Sequence, residues 1–511
     1  MEMAQLGRNH AAGRGFTTRC LRPFDLAHLE GRGFDSVQDE MPDVRNAPMY
    51  PAVLSACFRM LRPSFDVAAG WRLYRPESKV LVPLGGVLIL ATALVIYFVA
   101  RALFDGRSAT LAVIVFAVTE SVLATAMSGT QWMLASLLVS ATFGAVLLAV
   151  GLRRRHVVLC LIAAFFGGVF CGLSILTAYS LFVIAPGALL LLCWGLEHRR
   201  WSVFLCFVAA LGITLTPWLL RNQAVSGSLL GLAPYTALEE SALFTSDSLE
   251  RKADVAFRRG LIPVAMKMKI AENLHRMHER HAFPLYGGLV FCLFVAAIFY
   301  RYEEDDANRL KWCALLTLPL LHVAAALNGQ PAMLIVAFPL VLVLGVGFYF
   351  ALEDQMEFLE IGVKRAIAAL LVLACAGPAV LTVWGVPARR PYPPYGPPFI
   401  AYVSSVLEEE EAISTDIPWA TAWYGGKRSI LLPEDPQTLV QMRENGWRIG
   451  GIYLTSQTGD KAYIAELAEG PEQAWLPLLD RKVPEGFPWA YGVAIPPGSR
   501  SQLLLTDRER W

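Results

Sequence analysis

The sequence predicts a polytopic α-helical membrane protein of about ten spans, followed by a small α/β domain outside the membrane. Three observations carry that prediction. The 511-residue chain is 55% hydrophobic and only 17% charged, with a mean hydropathy of +0.46, far more apolar than a soluble core requires. Apolar runs recur near the length of about 20 residues that a helix needs to cross hydrocarbon. Beyond residue 400 these runs stop, and short strand-like and helix-like segments alternate.

The runs lie near residues 80–100, 109–126, 131–151, 157–174, 178–196, 203–219, 285–300, 311–327, 331–351 and 366–386. They group as a six-span region over 80–219 and a four-span region over 285–387. Alternate connections carry basic residues: Arg101 and Arg107, then Arg153 to Arg155, Arg199 and Arg200, Arg301, Arg309 and Lys311, and Lys364 with Arg365. The short turns between them, near 127–130, 175–177 and 328–330, carry no Lys or Arg. By the positive-inside bias the basic connections are cytoplasmic. Residues 1–79, the loop 220–284 and everything after about 388 are then extracytoplasmic.

Within those segments, "NAPMYPAVLSACFRML" reads as an apolar helix too short to span, lying in the interface or on the bundle. "IPVAMKMKIAENLHRMHERH" carries a helical stripe of Met266, Ile270, Leu274 and Met277, with Lys267, Lys269, Arg276 and Arg280 on the polar side. The Pro-rich stretch 388–399 is a stiff spacer. After it, "AISTD", "RSILLP" and "GGIYLTS" read as strands, while "IPWATAWYGG" and "DPQTLVQMRENG" read as helices, the latter started by Asp before Pro. That rhythm gives a small α/β module over 400–511 with a partly parallel sheet. Trp419, Trp423 and Tyr424 are read as its core in preference to a sugar-stacking surface.

Several functions are disfavoured. Lys and Arg total 44 against 43 Asp and Glu, and the segment from Phe399 holds sixteen acidic against ten basic residues, so no nucleic-acid partner is expected. "ENGWRIGGIYL" lacks the order of a dinucleotide loop and precedes a strand. The nine cysteines show neither a zinc spacing nor a disulfide framework, and His275, His278 and His281 drift around a helix, so no metal ligand set is assigned. A transporter would line its midplane with polar groups in paired halves. Here polarity within spans is confined to isolated residues such as His322.

The order "NHAAGRGF", "DVRNAPMYPAVL", "LVIYFVARALFDGRSATLAVIVFAV", "GGVFCGLSILTAYSLFVIAPGALLLL" and "PWLLRNQAVSG" resembles the GT-C superfamily of membrane glycosyltransferases. The nearest branches are the bacterial ones related to protein O-mannosyltransferases and to the aminoarabinose transferase of lipid A. The resemblance implies an enzyme of a bacterial plasma membrane. Such an enzyme moves a sugar from a polyprenyl-phosphate donor to a lipid, glycan or protein acceptor on the outer face. It also implies eleven spans, with a first helix and most of an acidic pair ahead of Met1. The chain departs from the family pattern at Gln131, at Thr177-Ala178 and at Gln330. A different class remains open: a non-catalytic membrane module displaying the α/β domain to a carbohydrate or envelope partner.

Transfer from a phosphate-linked sugar needs a base for the acceptor hydroxyl and cations for the departing phosphate. Asp43 and Glu2 are the candidate catalytic carboxylates. Arg45 and Arg221 are the candidate donor-phosphate ligands. For Asp43 and Arg45 the competing reading is a loop ion pair, and for Arg221 a lipid headgroup contact. Glu120 is a further acidic residue beside a short turn.

Overall fold

The computed structural model describes all residues except 38–39, 68–73, 153–155, 196–199, 281, 359, 385–395, 471 and 496–501. Among the described residues, seven helices are long and apolar enough to span a membrane: Glu77–Leu103, Trp132–Leu152, Val157–Ile175, Trp201–Ser226, Asp305–Leu327, Pro331–Gln355 and Ile361–Trp384. Gly106–Val118 and Glu120–Met127, bent by 55° at Thr119, make an eighth if they act as one. The helix after Pro331 is enclosed on almost every side. Ile361–Trp384 leaves most of its apolar surface outward, as a lipid-facing helix does. Small residues let the spans approach. A Cβ at Gly168 would collide with the Phe207 carbonyl, so only glycine permits that backbone contact.

Two expected spans are corrected. Residues 178–196 open with a 3₁₀ segment, Tyr179–Val183, before the α-helix Ile184–Gly195. Residues 285–300 yield only Leu289–Ala297, about 14 Å long at 1.5 Å per residue. Gly287 and Gly288 at φ +71° and +54° break the run, a backbone state open to glycine and closed to most residues. The basic clusters at 153–155 and 199 and most of the Pro-rich spacer fall outside the described residues.

Outside the spans, α1 (Glu2–Ala11), β1 (Cys20–Leu21), α2 (Pro23–Glu30) and α3 (Met49–Leu61) come from the N-terminal segment. The C-terminal segment supplies β2 (Ala412–Thr415), β3 (Ser429–Leu431), β4 (Ile449–Leu454), β5 (Tyr491–Ala494) and β6 (Leu503–Thr506). All six strands form one sheet in the order β1-β3-β2-β4-β6-β5. β1, β3, β2 and β4 run parallel, β6 pairs antiparallel with β4, and β5 pairs antiparallel with β6. The helix Pro436–Glu444 is capped as its sequence predicts, Asp435 accepting from the Gln437 amide.

An apolar core of the lobe is drawn from three distant stretches of chain: Leu21, Phe24 and Leu29, then Leu232, Phe244 and Leu249, then Ile430, Trp447 and Trp475. These segments therefore pack together in a single lobe. Trp423 and Tyr424 are buried and Trp419 is half-buried; Trp423 packs on Phe58, Phe65 and Tyr74, outside the small domain, and both Trp423 and Tyr424 donate to Glu77 Oε1 (3.0 and 2.8 Å) at the head of the first span. The lobe is thereby tied to the bundle.

Candidate functional site

The site forms where α1, the turn after α2 and the loop following Trp201–Ser226 converge above the spans. "PDVRNAP" supplies a tight turn in which Asp43 Oδ1 accepts from the amides of Arg45 (3.2 Å) and Asn46 (2.8 Å). An Asx residue stabilises such a turn by imitating backbone. The turn is pinned at Val44, whose carbonyl accepts from the Leu232 amide (2.8 Å). Gly231, at φ +64°, lies so close to that carbonyl that a Cβ would collide with it.

Glu2, at the first turn of α1, receives a bidentate Arg22 (2.9 and 2.8 Å) and the Asn46 side-chain amide (3.0 Å). The same amide also donates to Asp43 Oδ2 (2.8 Å), bridging the two candidate carboxylates. Arg22 Nε reaches Glu250 (2.8 Å). Arg45 donates to Asp25 (3.2 and 2.7 Å) and, from Nη1, to Glu250 (2.7 Å). Four carboxylates and two guanidiniums thus interlock, with Asp43 and Arg45 buried. Charge-assisted bonds are required there because an unpaired charge at such depth is costly.

The electrostatics separate the carboxyls. Burial alone would raise Glu2, but Arg22 and Asn46 bring it down to about 2. Asp43 is raised by burial and by the charge of Glu2, against the opposing Asn46 bonds. Glu239, close by in the second loop, is raised to about 8 by burial and by Glu250, and neither of its carboxyl oxygens has a hydrogen-bond partner. One carboxylate is locked ionised while its neighbour is made more basic, the division that acid–base chemistry uses.

Arg221 approaches from the span end. It donates to the carbonyls of Asp43 and Phe16 and stacks on Trp218, its guanidinium carbon 4.7 Å from the ring centroid. Among the described residues no carboxylate lies within ion-pair distance of it. Tyr179 completes the wall, accepting from Trp218 (2.6 Å) and Asn222 (3.2 Å) and donating to the Asn46 carbonyl (3.4 Å). Beside the cluster, between α2 and the Asp43 turn, the cavity holds about 10 Å³, room for a single water.

The whole chain can now be compared with solved structures. Archaeal oligosaccharyltransferase AglB from Archaeoglobus fulgidus, in complex with an inhibitory peptide and a dolichol-phosphate, superposes on 93% of this chain and 67% of its own. The TM-score is 0.55 at 12% identity. ArnT from Cupriavidus metallidurans matches 95% of this chain and 93% of its own at 12% identity. Its TM-score is 0.52 in the apo state and 0.50 bound to undecaprenyl phosphate. The chain shares its overall fold with both of these enzymes over most of its length. No protein-family model and no curated protein sequence matches it.

In this fold, Glu2, Asp43, Arg45 and Arg221 are brought together from three segments. Glu120 is elsewhere, at the bend of the helix pair, accepting from Thr382 (3.0 Å). Lys269, expected on a polar face, is instead buried and donates to the carbonyls of Ala237 and Glu239. Sequence reading missed Arg22, Asp25, Asn46, Tyr179, Trp218 and Glu250. Asn46 carried a signal, since it follows Asp43 and Arg45 in a Pro-bounded turn. Glu250 carried none, because its partners are more than 200 positions away.

Proposed function

We propose that the chain is a membrane glycosyltransferase using a polyprenyl-phosphate sugar, with the lobe on the outer face. Asp43 acts as base and Arg221 receives the departing phosphate. The supporting observation is a carboxyl of raised basicity one backbone carbonyl away from a guanidinium that, among the described residues, has no carboxylate within ion-pair distance. In the transfer, the acceptor hydroxyl gives its proton to Asp43 as its oxygen bonds to the anomeric carbon. The bond from that carbon to the phosphate oxygen breaks, and the lipid phosphate keeps the electron pair, its charge met by Arg221. Glu2, held ionised by Arg22, orients Asn46 against Asp43. The guanidinium of Arg45 is taken by Asp25 and Glu250, so this reading makes Arg45 a positioning residue and moves the phosphate contact to Arg221.

Proteoliposomes carrying the full chain and radiolabelled polyprenyl-phosphate sugars test this. Transfer is expected, falling at least about 100-fold in Asp43→Asn, the usual scale for a lost general base. A second reading, a non-catalytic module, draws on the closed cavity, too small for a sugar ring. It gains if no labelled sugar is transferred to any membrane acceptor.

A further inference from the structure

Further along α1, a separate cleft of about 680 Å³ opens between α1, the end of α3 and the helix Pro418–Tyr424. Arg8, Arg14, Arg19, Arg59 and Arg62 all line it. We propose that this cleft binds a phosphate-bearing amphiphile, the five arginines receiving the phosphate and Phe58 with Phe65 receiving its apolar part.

The charge is a surplus. Arg14 meets Glu40 at 3.6 Å, with both side chains nearly half exposed. Asp66, the other acid nearby, accepts from Ser64. Among the described residues no carboxylate lies within ion-pair distance of Arg8, Arg19, Arg59 or Arg62. Their protein contacts are to carbonyls: Arg8 to Trp423 (3.3 Å), Arg19 to Gly426 and Arg59 to His10 (2.8 Å). Arg8 also lies over the Phe65 ring, 4.6 Å from its centroid. Carbonyls orient a guanidinium without cancelling its charge. Burial chiefly, with a smaller contribution from Arg14, lowers the affinity of Arg8 and of Arg19 for their protons, while Tyr74 and Asp66 oppose the shift at Arg8 and Glu40 opposes it at Arg19.

A second observation points to a ligand. Gln5 is buried and lines the same cleft. Its Oε1 accepts from the Arg19 amide (3.2 Å), yet its Nε2 has no hydrogen-bond partner. Buried amide donors are rarely left unpaired, so the site is short of an acceptor.

The ligand class follows from charge and shape. One carboxylate would leave most of the guanidiniums unmatched, whereas a phosphate monoester carries nearly two charges and accepts from several forks at once. The volume suits a small molecule rather than an extended polymer. Met60 and Leu61, 81% and 58% exposed, immediately precede Arg62 at the rim and suit contact with a lipid surface. The proposal is independent of sugar transfer.

Calorimetric titration of the full chain in phosphatidylcholine nanodiscs, against empty nanodiscs, tests it with three probes: dihexanoyl phosphatidic acid, inorganic phosphate and dihexanoyl phosphatidylcholine. Phosphatidic acid is expected to saturate, to weaken with salt, and to lose about tenfold in affinity in Arg59→Gln and in Arg62→Asn. Both side chains are exposed, and Asn tolerates the left-handed backbone of Arg62 (φ 40°), so neither change threatens folding. Inorganic phosphate binding as tightly as phosphatidic acid supports the anion site and assigns it to a soluble phosphate. No saturable binding of either anion, binding unchanged in both variants, or phosphatidylcholine binding equally well would overturn the proposal.

Discussion

Two charged regions share helix α1, and they are built on opposite rules. Around Glu2 and Asp43, the carboxylates of Glu2, Asp25 and Glu250 close on two arginines, and the cavity beside them admits one water. From Gln5 onward, five arginines face a cleft of about 680 Å³ with one weak acidic partner. The separation along the helix from Glu2 to Arg8 is only about 9 Å at 1.5 Å per residue. Paired charge at depth is architecture first, since each member holds the others in place. Unpaired charge at an opening is a site waiting for its counter-charge.

The comparison is broken most severely by removing one arginine from the paired cluster. Arg45→Met is expected to cost about 3–5 kcal/mol in stability, because Asp25 and Glu250 would be left partly uncompensated. Reversible unfolding in detergent measures it. Next is the tie between lobe and bundle. Glu77→Gln weakens bonds from Trp423 and Tyr424 to a charged acceptor and is expected to cost about 1–3 kcal/mol, with increased proteolysis of the C-terminal segment.

A finer contrast comes from pH. Glu2 lies at about 2 in the folded chain against an ordinary 4.5, so its stabilisation is complete above 4.5 and is lost as pH falls toward 2. Glu239 has the opposite sign. Raised to about 8, it leaves the folded state fully competitive below 4.5 and progressively less stable as pH climbs from there to 8. Melting temperatures across pH are therefore expected to show a shallower acid limb in Glu2→Gln and a shallower decline between 5 and 8 in Glu239→Gln, since Asp247 and Glu411 are also held below their ordinary values and Asp43 and Asp416 above theirs. The smallest effect belongs to the cleft. Arg59→Gln with Arg62→Asn leaves the unfolding midpoint unchanged, since neither makes an ion pair among the described residues.

How far the sequence was legible varies with the range of the interactions. The spans were readable because apolar length is a local property, and the strands β2, β3 and β4 because each is bounded by its own turn residues. Residues 285–300 misled, since hydropathy is indifferent to two glycines that stop a helix. β1 escaped notice because two residues, Cys20 and Leu21, have no strand signature until β3, some 400 positions later, pairs with them. At the site, the residue types of Glu2, Asp43, Arg45 and Arg221 suggested chemistry. That Arg45 spends its donors on Asp25 and Glu250 did not follow from any local pattern.

By itself, the sequence determined a helical membrane bundle with a mixed α/β lobe, because hydropathy and periodicity are written along the chain. Only the tertiary structure decided which charges neutralise one another and which stand unopposed. Coulombic pairing depends on distance in space, and here the deciding distances are set by a core drawn from three remote segments.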